Sequence, residues 1–495
     1  MADVEHFACV DHPCATFLKL VGNYLYLAVA EVASKAATLA AFAYMARVIG
    51  REGMGAIEFA SAAMLCAALA VDMGFGSYGA REIAKHPERT GELTAQVLFV
   101  RLLLGVVAFL GLILLSSLTS SAVANGHLLI VFGLSLLCLP FLLQWVFQGH
   151  EWMGAVAGLN LLRQIIFAVV VFAALRGPES LMVAAWAEFA GTFLTAILGM
   201  WLYRRWFGQH IRFVFTASRE VIAHSATIGL SQVFWSVKMF GATVVLGLLA
   251  TSQQVSDVAY FGGAMRILVA MHAFIWLYYF NLLPAMARCW REGRVEFAAL
   301  LGDSMRIVGW AALAGGWLWI VLSPLVMGLV YGGQYGPAVP VLQWMGGVAV
   351  LAAISGHFRL GLIACGYQKD EMLTAALGAV VALVLIPVGF HLEGPVGAAA
   401  GLVAAEAVVW VAAWLLATWR MGTLDHAVTL AKPLFCVIIV ALSVRLMGLR
   451  GPLAQASIGV ALLVVAGWTL DASLRGMLRR LIGWPPRRME AVVRP

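Results

Sequence analysis

The fold is decided by a stretch near the C-terminal end of the chain, which reads LTAALGAVVALVLIPVGF (373–390), HLEGP (391–395) and VGAAAGLVAAEAVVWVAAWLLATW (396–419). A bilayer core about 30 Å thick is crossed by roughly 20 apolar residues in helical form. The first and third segments meet that requirement, and Glu406 is the only ionisable residue in either of them. The stretch therefore predicts two transmembrane helices with a short turn near Glu393 between them.

Similar apolar segments recur along the whole chain and predict an all-α integral membrane protein with about fourteen transmembrane helices. Of the 495 residues, 62% are hydrophobic and only 12% are charged, whereas a soluble domain carries about a quarter charged residues. No polar block between the segments is large enough to fold by itself, so a water-soluble fold is excluded. The predicted spans lie near residues 20–46, 54–78, 94–117, 127–147, 156–176, 181–203, 222–250, 256–284, 304–330, 337–363, 373–390, 396–419, 433–449 and 454–471.

The loops on alternate sides of these spans differ in basic content. Short cytoplasmic loops of membrane proteins are enriched in Lys and Arg, so the richer side should be cytoplasmic. The poorer side carries only Arg47, Arg51, Arg176 and Arg450. The richer side carries, among others, Arg81, Lys85, Arg89, Arg204, Arg205, Arg288, Arg291, Arg420 and the tail with Arg475, Arg479 and Arg480. This pattern places both termini in the cytoplasm, and it explains the net charge of +7 without nucleic-acid binding.

The same loop lengths argue against an enzyme. No predicted loop on the outer side exceeds roughly a dozen residues, which leaves no room there for a folded catalytic domain. The sequence also shows no phosphate-binding loop, no nucleophile with a plausible base and no metal-ligand spacing of a structural zinc site. We therefore expect a protein that moves a substrate across the bilayer, with no metal or organic cofactor.

A faint internal repeat divides the predicted spans into two lobes. An offset of 201 residues aligns Glu58–Met64 with Ala259–Met265, both at the start of an even-numbered span. The same offset superposes span 1 on span 7, and transporters commonly place the substrate site between such repeats. The predicted organisation is a cytoplasmic tail (1–19), a first lobe (20–203), a linker (204–221), a second lobe (222–419), spans 13 and 14 (433–471) and a basic cytoplasmic tail (472–495).

Ionisable residues within the predicted spans are the candidates for a transport site. A charge in the hydrocarbon core costs at least about 2.5–3.5 kcal/mol on insertion scales, so such residues face a cavity or each other. Lys35, Lys238 and Arg266 fall near the middle of their spans, whereas Arg163 and Arg359 fall near cytoplasmic ends, where long side chains can reach the interface. The acidic candidates are Glu31, Asp72, Glu188 and Glu406.

Polar residues share a face of span 1, and a polar stripe also marks span 7. At about 100° per residue, Asn23, Glu31 and Lys35 fall on one side of span 1 together with Ser34 and Thr38. Gln232 belongs to the stripe in span 7, but Lys238 lies off it. Several roles stay open at this stage. Glu31 and Lys35 either line a passage or neutralise each other, Asp72 either binds a coupling cation or pairs with Arg81, and Glu188 and Glu406 either bind ions or make helix contacts.

Several short motifs along the chain are typical of one family. The early motif consists of Asn23, the stretch 46–55 followed by Phe59 and Ala60, and the stretches 72–76 and 80–82. Later motifs lie at 145–149, at 283–284 and at 331–338. In these stretches the sequence resembles the bacterial polysaccharide transporters of the Wzx (O-antigen flippase) type, in the multidrug/oligosaccharidyl-lipid/polysaccharide superfamily, and the resemblance covers essentially the whole chain.

The resemblance implies two lobes of six helices around a central cavity, two appended helices and alternating access to the two leaflets. The implied cargo is an oligosaccharide linked through pyrophosphate to a polyprenol, which is moved across the bacterial inner membrane. Lys35, Lys238 and Arg266 would meet the pyrophosphate, a proton or sodium gradient would drive transport, and a polysaccharide polymerase with its chain-length machinery would be partners.

Two competing functions share the predicted fold: a cation-coupled exporter of drugs or metabolites and a flippase for peptidoglycan precursors. A membrane glycan polymerase or ligase is a third reading, but such an enzyme needs a large outer loop that this chain lacks.

Overall fold

A computed structural model describes residues 13–118, 125–208, 218–422 and 426–481. All its regular elements in these ranges are helical, which confirms the predicted all-α class. The helices are α1 (Pro13–Asp72), α2 (Phe75–Lys85), α3 (Thr90–Leu118), α4 (Gly126–Cys138), α5 (Gln144–Gly149), α6 (Met153–Ala174), α7 (Met182–Phe207), α8 (Arg219–Leu249), α9 (Val255–Glu292), α10 (Arg294–Tyr331), α11 (Ala338–Ala364), α12 (Gln368–Met421), α13 (His426–Leu446), α14 (Pro452–Leu470) and α15 (Ala472–Leu481).

Twelve helical stretches in the described part of the chain are long and apolar enough to cross a membrane. Two of these stretches, in α1 and α12, are long enough to cross it twice. The 60 residues of α1 would form a straight rod of about 90 Å, three times the thickness of the bilayer core. The backbone leaves helical geometry at Gly50 in α1 and at Glu393 and Gly394 in α12. Counting the segments on either side of each break separately gives fourteen membrane-crossing segments, in agreement with the sequence.

Glycine makes the break in α12 a tight hairpin. Gly394 adopts a positive φ of 59°, a conformation that side chains with a Cβ disfavour. Beyond the turn, the two segments touch through their backbones: a Cβ at Gly389 would lie 2.1 Å from the carbonyl oxygen of Gly397, and one at Gly401 would lie 2.5 Å from that of Leu385. Small residues allow this close approach of helices in membranes. The stretch 373–419 therefore folds as one hairpin.

The chain divides into two compact units, of which unit 1 comprises the residues up to 120 and 124–233. The first segment of α1 packs on α6, where the ring of Phe42 stacks on that of Phe167 and the hydroxyl of Tyr44 donates to the carbonyl of Leu175 at 3.1 Å. The glycine turn before α2 fits against α8, since a Cβ at Gly229 would lie 2.1 Å from the carbonyl oxygen of Met73.

Unit 2 comprises residues 234–495 together with 121–123, and α11 lies at its centre. This helix contacts α9, α10 and α12, and its residues from Ala352 to Leu362 are all buried. The predicted spans 13 and 14 correspond to α13 and α14, and both pack on α10. A Cβ at Gly459 of α14 would lie 1.8 Å from the ring of Trp317 in α10, so this contact also depends on a small residue.

The C-terminal helix α15 is attached to unit 2 through Asp471. One carboxylate oxygen accepts the backbone N–H of Leu474 at 3.0 Å and so caps α15, while the other accepts the indole N–H of Trp310 at 3.0 Å. Burial raises the pKa of Asp471, but these two hydrogen bonds and the nearby guanidinium of Arg306 bring that pKa below its ordinary value overall. The carboxylate therefore holds the start of the basic tail against α10.

The division between the two units falls at Val233 and Phe234, inside α8. The predicted linker at 204–221 begins in the last turn of α7, and its residues 209–217 lie outside the described part of the chain. The same holds for residues 1–12 and 482–495 of the two predicted tails.

Candidate transport site

An ion pair lies on the surface of the first segment of α1, near the middle of the predicted span 20–46. Lys35 Nζ and the Glu31 carboxylate are 3.3 Å apart, and their side chains are 41% and 47% exposed. Charged groups this accessible would be costly against lipid tails, because the hydrocarbon offers neither hydrogen bonds nor dielectric screening. This part of α1 must therefore face water, and the predicted pairing of Glu31 with Lys35 is present in the structure.

A second ion pair joins α6 to α7. The Arg163 guanidinium donates to the Glu188 carboxylate, and the Thr192 hydroxyl lies 3.4 Å from the same carboxylate oxygen. Arg163 is the eleventh of the 22 residues of α6, so it lies at the centre of the membrane helix. The sequence-based interpretation of Arg163 as an anchor near the cytoplasmic end is therefore wrong, because the helix begins three residues earlier than the predicted span and the side chain has an acidic partner.

Polar contacts between α1 and α6 connect these two pairs. Thr38 Oγ1 lies 2.8 Å from Oε1 of Gln164 and 2.9 Å from the carbonyl oxygen of Ser34. Only one end of the Gln164 amide is engaged by the protein in the described residues. Asn160, one turn earlier on α6, is exposed. We call this surface the unit-1 polar seam; it consists of Glu31, Ser34, Lys35, Thr38, Asn160, Arg163, Gln164, Glu188 and Thr192.

Asp72 pairs with a residue that the sequence reasoning missed. Its Oδ1 lies 2.9 Å from a terminal nitrogen of Arg101, which is buried in α3, whereas Arg81 lies 3.4 Å from Glu82. The proposed pairing of Asp72 with Arg81 is therefore wrong. Arg101 follows the first turns of an apolar span, where sequence alone cannot tell an interfacial arginine from a buried one. Its other two guanidinium nitrogens have no hydrogen-bond partner in the described structure.

The charged candidates of unit 2 are sealed inside it. Lys238 of α8 is ion-paired with Glu406 of α12, and the two side chains are only 4% and 1% exposed. Arg359 of α11 donates from Nε to the Glu371 carboxylate of α12 at 3.1 Å and is also buried. The interpretation of Arg359 as an interfacial anchor is wrong for that reason. The four charges sum to zero, and Arg359 is close enough to interact electrostatically with Glu406.

The remaining predicted site residues have different surroundings. Arg266 is partly buried in α9 of unit 2. Gln232 is partly buried in α8 of unit 1, and its Oε1 has no hydrogen-bond partner in the described residues. Asn23 lies in α1, but its side chain lies outside the described structure. The proposed roles of these three residues stay predictions.

The structure adds a hydrogen-bonded network in unit 2 that the sequence reasoning did not find. His357 of α11 lies 2.7 Å from the hydroxyl of Tyr279 through Nδ1 and 2.8 Å from that of Ser304 through Nε2. Ser304 lies 2.7 Å from the hydroxyl of Tyr278, and Tyr279 donates to the carbonyl of Ala353. Both nitrogens of the buried imidazole are therefore satisfied, so the network ties α9, α10 and α11 together. The sequence offered one signal for this network, namely that His357 is a polar residue inside an apolar predicted span.

The described side chains contain no group of three or more His, Cys, Asp or Glu residues placed to hold a metal ion. The polar groups that face water in unit 1 instead suit the binding of a polar solute by hydrogen bonds and charge. The fourteen membrane-crossing segments of the described ranges, together with this surface in unit 1, define a multi-pass membrane protein with a polar face.

Comparisons with known proteins identify the family. Residues 20–290 match the family described as "Polysaccharide biosynthesis protein", and the chain belongs to that family. It is 23% identical over 405 residues to the "Putative O-antigen transporter" of Escherichia coli (strain K12), covering 79% of this chain and 95% of that protein.

Solved structures show the same fold. The lipid II flippase MurJ in an inward closed conformation superposes with a TM-score of 0.71 at 13% identity, over 92% of this chain and 100% of that one. An inward-facing multidrug resistance transporter of the MATE family, in the MOP superfamily, superposes with a TM-score of 0.62 at 15% identity, over 80% and 95%. The chain thus has a MATE-like fold.

Proposed function

We propose that the protein is a flippase that moves a polyprenyl-pyrophosphate-linked oligosaccharide from the cytoplasmic to the outer leaflet of the bacterial inner membrane, by alternating access, during the biosynthesis of a surface polysaccharide. Family membership and the name of the Escherichia coli relative support a substrate of this class. The likeness to MurJ and to the MATE transporter concerns the fold alone, so it does not favour their substrates.

The observation that carries the proposal is the exposed pair of Glu31 and Lys35 in the first segment of α1. A hydrated oligosaccharide and an anionic pyrophosphate need a wet path through the bilayer, whereas the isoprenoid tail can remain in lipid. A charged, accessible surface within an otherwise apolar helix supplies such a path. Arg266, which is partly buried in α9, remains our candidate for contact with the pyrophosphate.

The sealed charges of unit 2 suit coupling better than substrate contact. Oε1 of Glu406 has no hydrogen-bond partner in the described structure, although the side chain is buried beside Lys238. A proton on Glu406 would remove the attraction that holds Lys238, and a cation would compete with the Lys238 ammonium. We propose that Lys238 and Glu406 link transport to a proton or sodium gradient.

Two assays test the proposed function. In a bacterium that lacks its own O-antigen flippase, expression of the chain should restore surface polysaccharide. In proteoliposomes, the purified protein should move a fluorescent polyprenyl-pyrophosphate oligosaccharide to the opposite leaflet. Transport of lipid II or of a cationic drug in place of that substrate would instead support one of the competing functions.

The proposed localisation and partners follow from the same substrate. Termini in the cytoplasm agree with the basic loops and are testable with reporter fusions at residues 1 and 495. A polymerase on the outer side must consume the translocated unit, and we propose it, together with its chain-length machinery, as a functional partner. Alkaline phosphatase activity from either terminal fusion would contradict this orientation.

A further inference from the structure

We propose that the unit-1 polar seam binds the sugar portion of the cargo and not its pyrophosphate. This inference rests on the proposed flippase function and assigns one part of the substrate to one surface. It departs from the expectation, drawn from the sequence, that Lys35 meets the pyrophosphate.

The charge of the seam argues against a pyrophosphate site. Lys35 is paired with Glu31, and Arg163 is paired with Glu188, so the formal charges cancel. The Glu31 carboxylate is as accessible as the Lys35 ammonium. An approaching pyrophosphate would meet repulsion from the carboxylates as well as attraction from the cations. Separating Arg163 from Glu188 would also leave a largely buried carboxylate without its partner.

The hydrogen-bonding groups of the seam match hydroxyls instead. An amide presents N–H donors and a carbonyl acceptor, and a paired carboxylate or guanidinium keeps further acceptors or donors for a ligand. A sugar hydroxyl both donates and accepts, whereas a fully ionised pyrophosphate only accepts. The carbonyl oxygen of Asn160 therefore offers an acceptor that a pyrophosphate would leave unused, while the Gln164 amide, whose Oε1 already accepts from Thr38, offers its N–H donors.

The two amides form a compact site on α6. Asn160 and Gln164 are one helical turn apart, about 6 Å along the axis, so the hydroxyls of a single sugar residue can reach both. Arg163 lies between them and is held by Glu188. The lipid-facing side of α6 lies opposite: Val169 is about 180° from Asn160 around the helix and is 58% exposed. An exposed amide on the other side is thus placed toward water.

Binding of two soluble probes to the purified full-length protein tests the inference. The probes are the delipidated repeat-unit oligosaccharide, released from the host's lipid-linked intermediate, and inorganic pyrophosphate, each used to inhibit transport of the fluorescent substrate in proteoliposomes. The variants are Asn160→Ala, Gln164→Ala and the double variant, with Val169→Ala as the control on the lipid face of the same helix.

We expect each amide substitution to weaken inhibition by the oligosaccharide about fivefold and the double substitution about 25-fold, the effect of losing one and two neutral hydrogen bonds. Inhibition by pyrophosphate should stay within twofold of the wild type, and Val169→Ala should change neither. Raising the salt concentration should leave the oligosaccharide effect unchanged, because the contacts are neutral.

Two results would overturn the inference: unchanged inhibition by the oligosaccharide in the double variant, or a selective loss of inhibition by pyrophosphate. Both results require that the double variant is folded, which its unfolding temperature shows. If the alanine variants unfold, the conservative variants Asn160→Gln and Gln164→Asn replace them in the same measurements. Absence of transport by the wild type would count against the proposed function, whereas normal wild-type transport with an unaffected double variant would remove only the sugar assignment.

Discussion

Lys238→Met should lower the unfolding temperature of the protein sharply, because it leaves the Glu406 carboxylate buried without its ion-pair partner. Both side chains are almost completely buried, at 4% and 1% exposure, so water cannot replace the lost ammonium. Removing one member of a buried pair costs about 3–5 kcal/mol. At about 2–4 °C per kcal/mol for a domain of this size, the expected shift is roughly 6–20 °C. Arg359 interacts electrostatically with Glu406 but is itself paired with Glu371, so it offsets only part of the loss.

Thermal unfolding of the detergent-purified protein, followed by tryptophan fluorescence, measures this shift. The matched variant is Lys238→Met with Glu406→Gln, which removes both charges and should unfold within about 1 kcal/mol of the wild type, since neutral replacements of buried pairs are often tolerated. The reasoning is refuted if the single variant unfolds at the wild-type temperature. It is also refuted if the loss of stability in the double variant equals the sum of the losses in the two single variants. If the pair couples transport to an ion gradient, the stable double variant should transport without responding to the gradient.

Four further predictions concern the two units. Gly229→Ala should reduce the folded yield strongly, because its Cβ would meet backbone at 2.1 Å, whereas Gly158→Ala, with open space around the Cβ, should leave fluorescence-detected size-exclusion profiles unchanged. Glu188→Ala should destabilise unit 1 by about 1–3 kcal/mol by leaving Arg163 without its acceptor, and Glu188→Gln should recover part of that loss in thermal unfolding. Asp471→Ala should loosen α15 by about 0.5–2 kcal/mol, read as faster hydrogen exchange at residues 472–476. Because the pKa of Asp471 is depressed in the folded protein, acidification below about pH 4 should lower the protection of the same amides, relative to their intrinsic exchange at that pH, in the wild type but not in Asp471→Ala.

The membrane-crossing segments were predictable because they depend on local composition. Runs of about 20 apolar residues are required whatever the tertiary structure, and the break near Glu393 is visible as polar and helix-breaking residues between two such runs. The short amphipathic helices α2 and α15 were less visible, since each is stabilised by contacts with distant parts of its own unit. Asp471 gains its second hydrogen bond from Trp310, 161 residues earlier.

The partners of the buried charges were not predictable for the same reason. The exposed pair of Glu31 and Lys35 is local, four residues apart on one helix, and sequence suggested it correctly. Glu188 is 25 residues from Arg163, and Glu406 is 168 residues from Lys238, so helix packing alone decides these pairs. Asp72 shows the limit of proximity in sequence: Arg81 is nearer along the chain, but α3 brings Arg101 to the carboxylate. Whether the proposed site residues bind substrate stays a prediction.

The separation of Lys238 from Glu406 along the chain has a consequence for biogenesis. The 168 residues between them take roughly 8–34 s to synthesise at about 5–20 residues per second. During that interval α8 has left the ribosome while the segment carrying its counter-ion has not yet been made. Until the glycine hairpin has been made, the Lys238 side chain therefore lacks the counter-ion that neutralises it in the folded protein, so unit 2 completes its buried charge pair only when the last third of the chain is present.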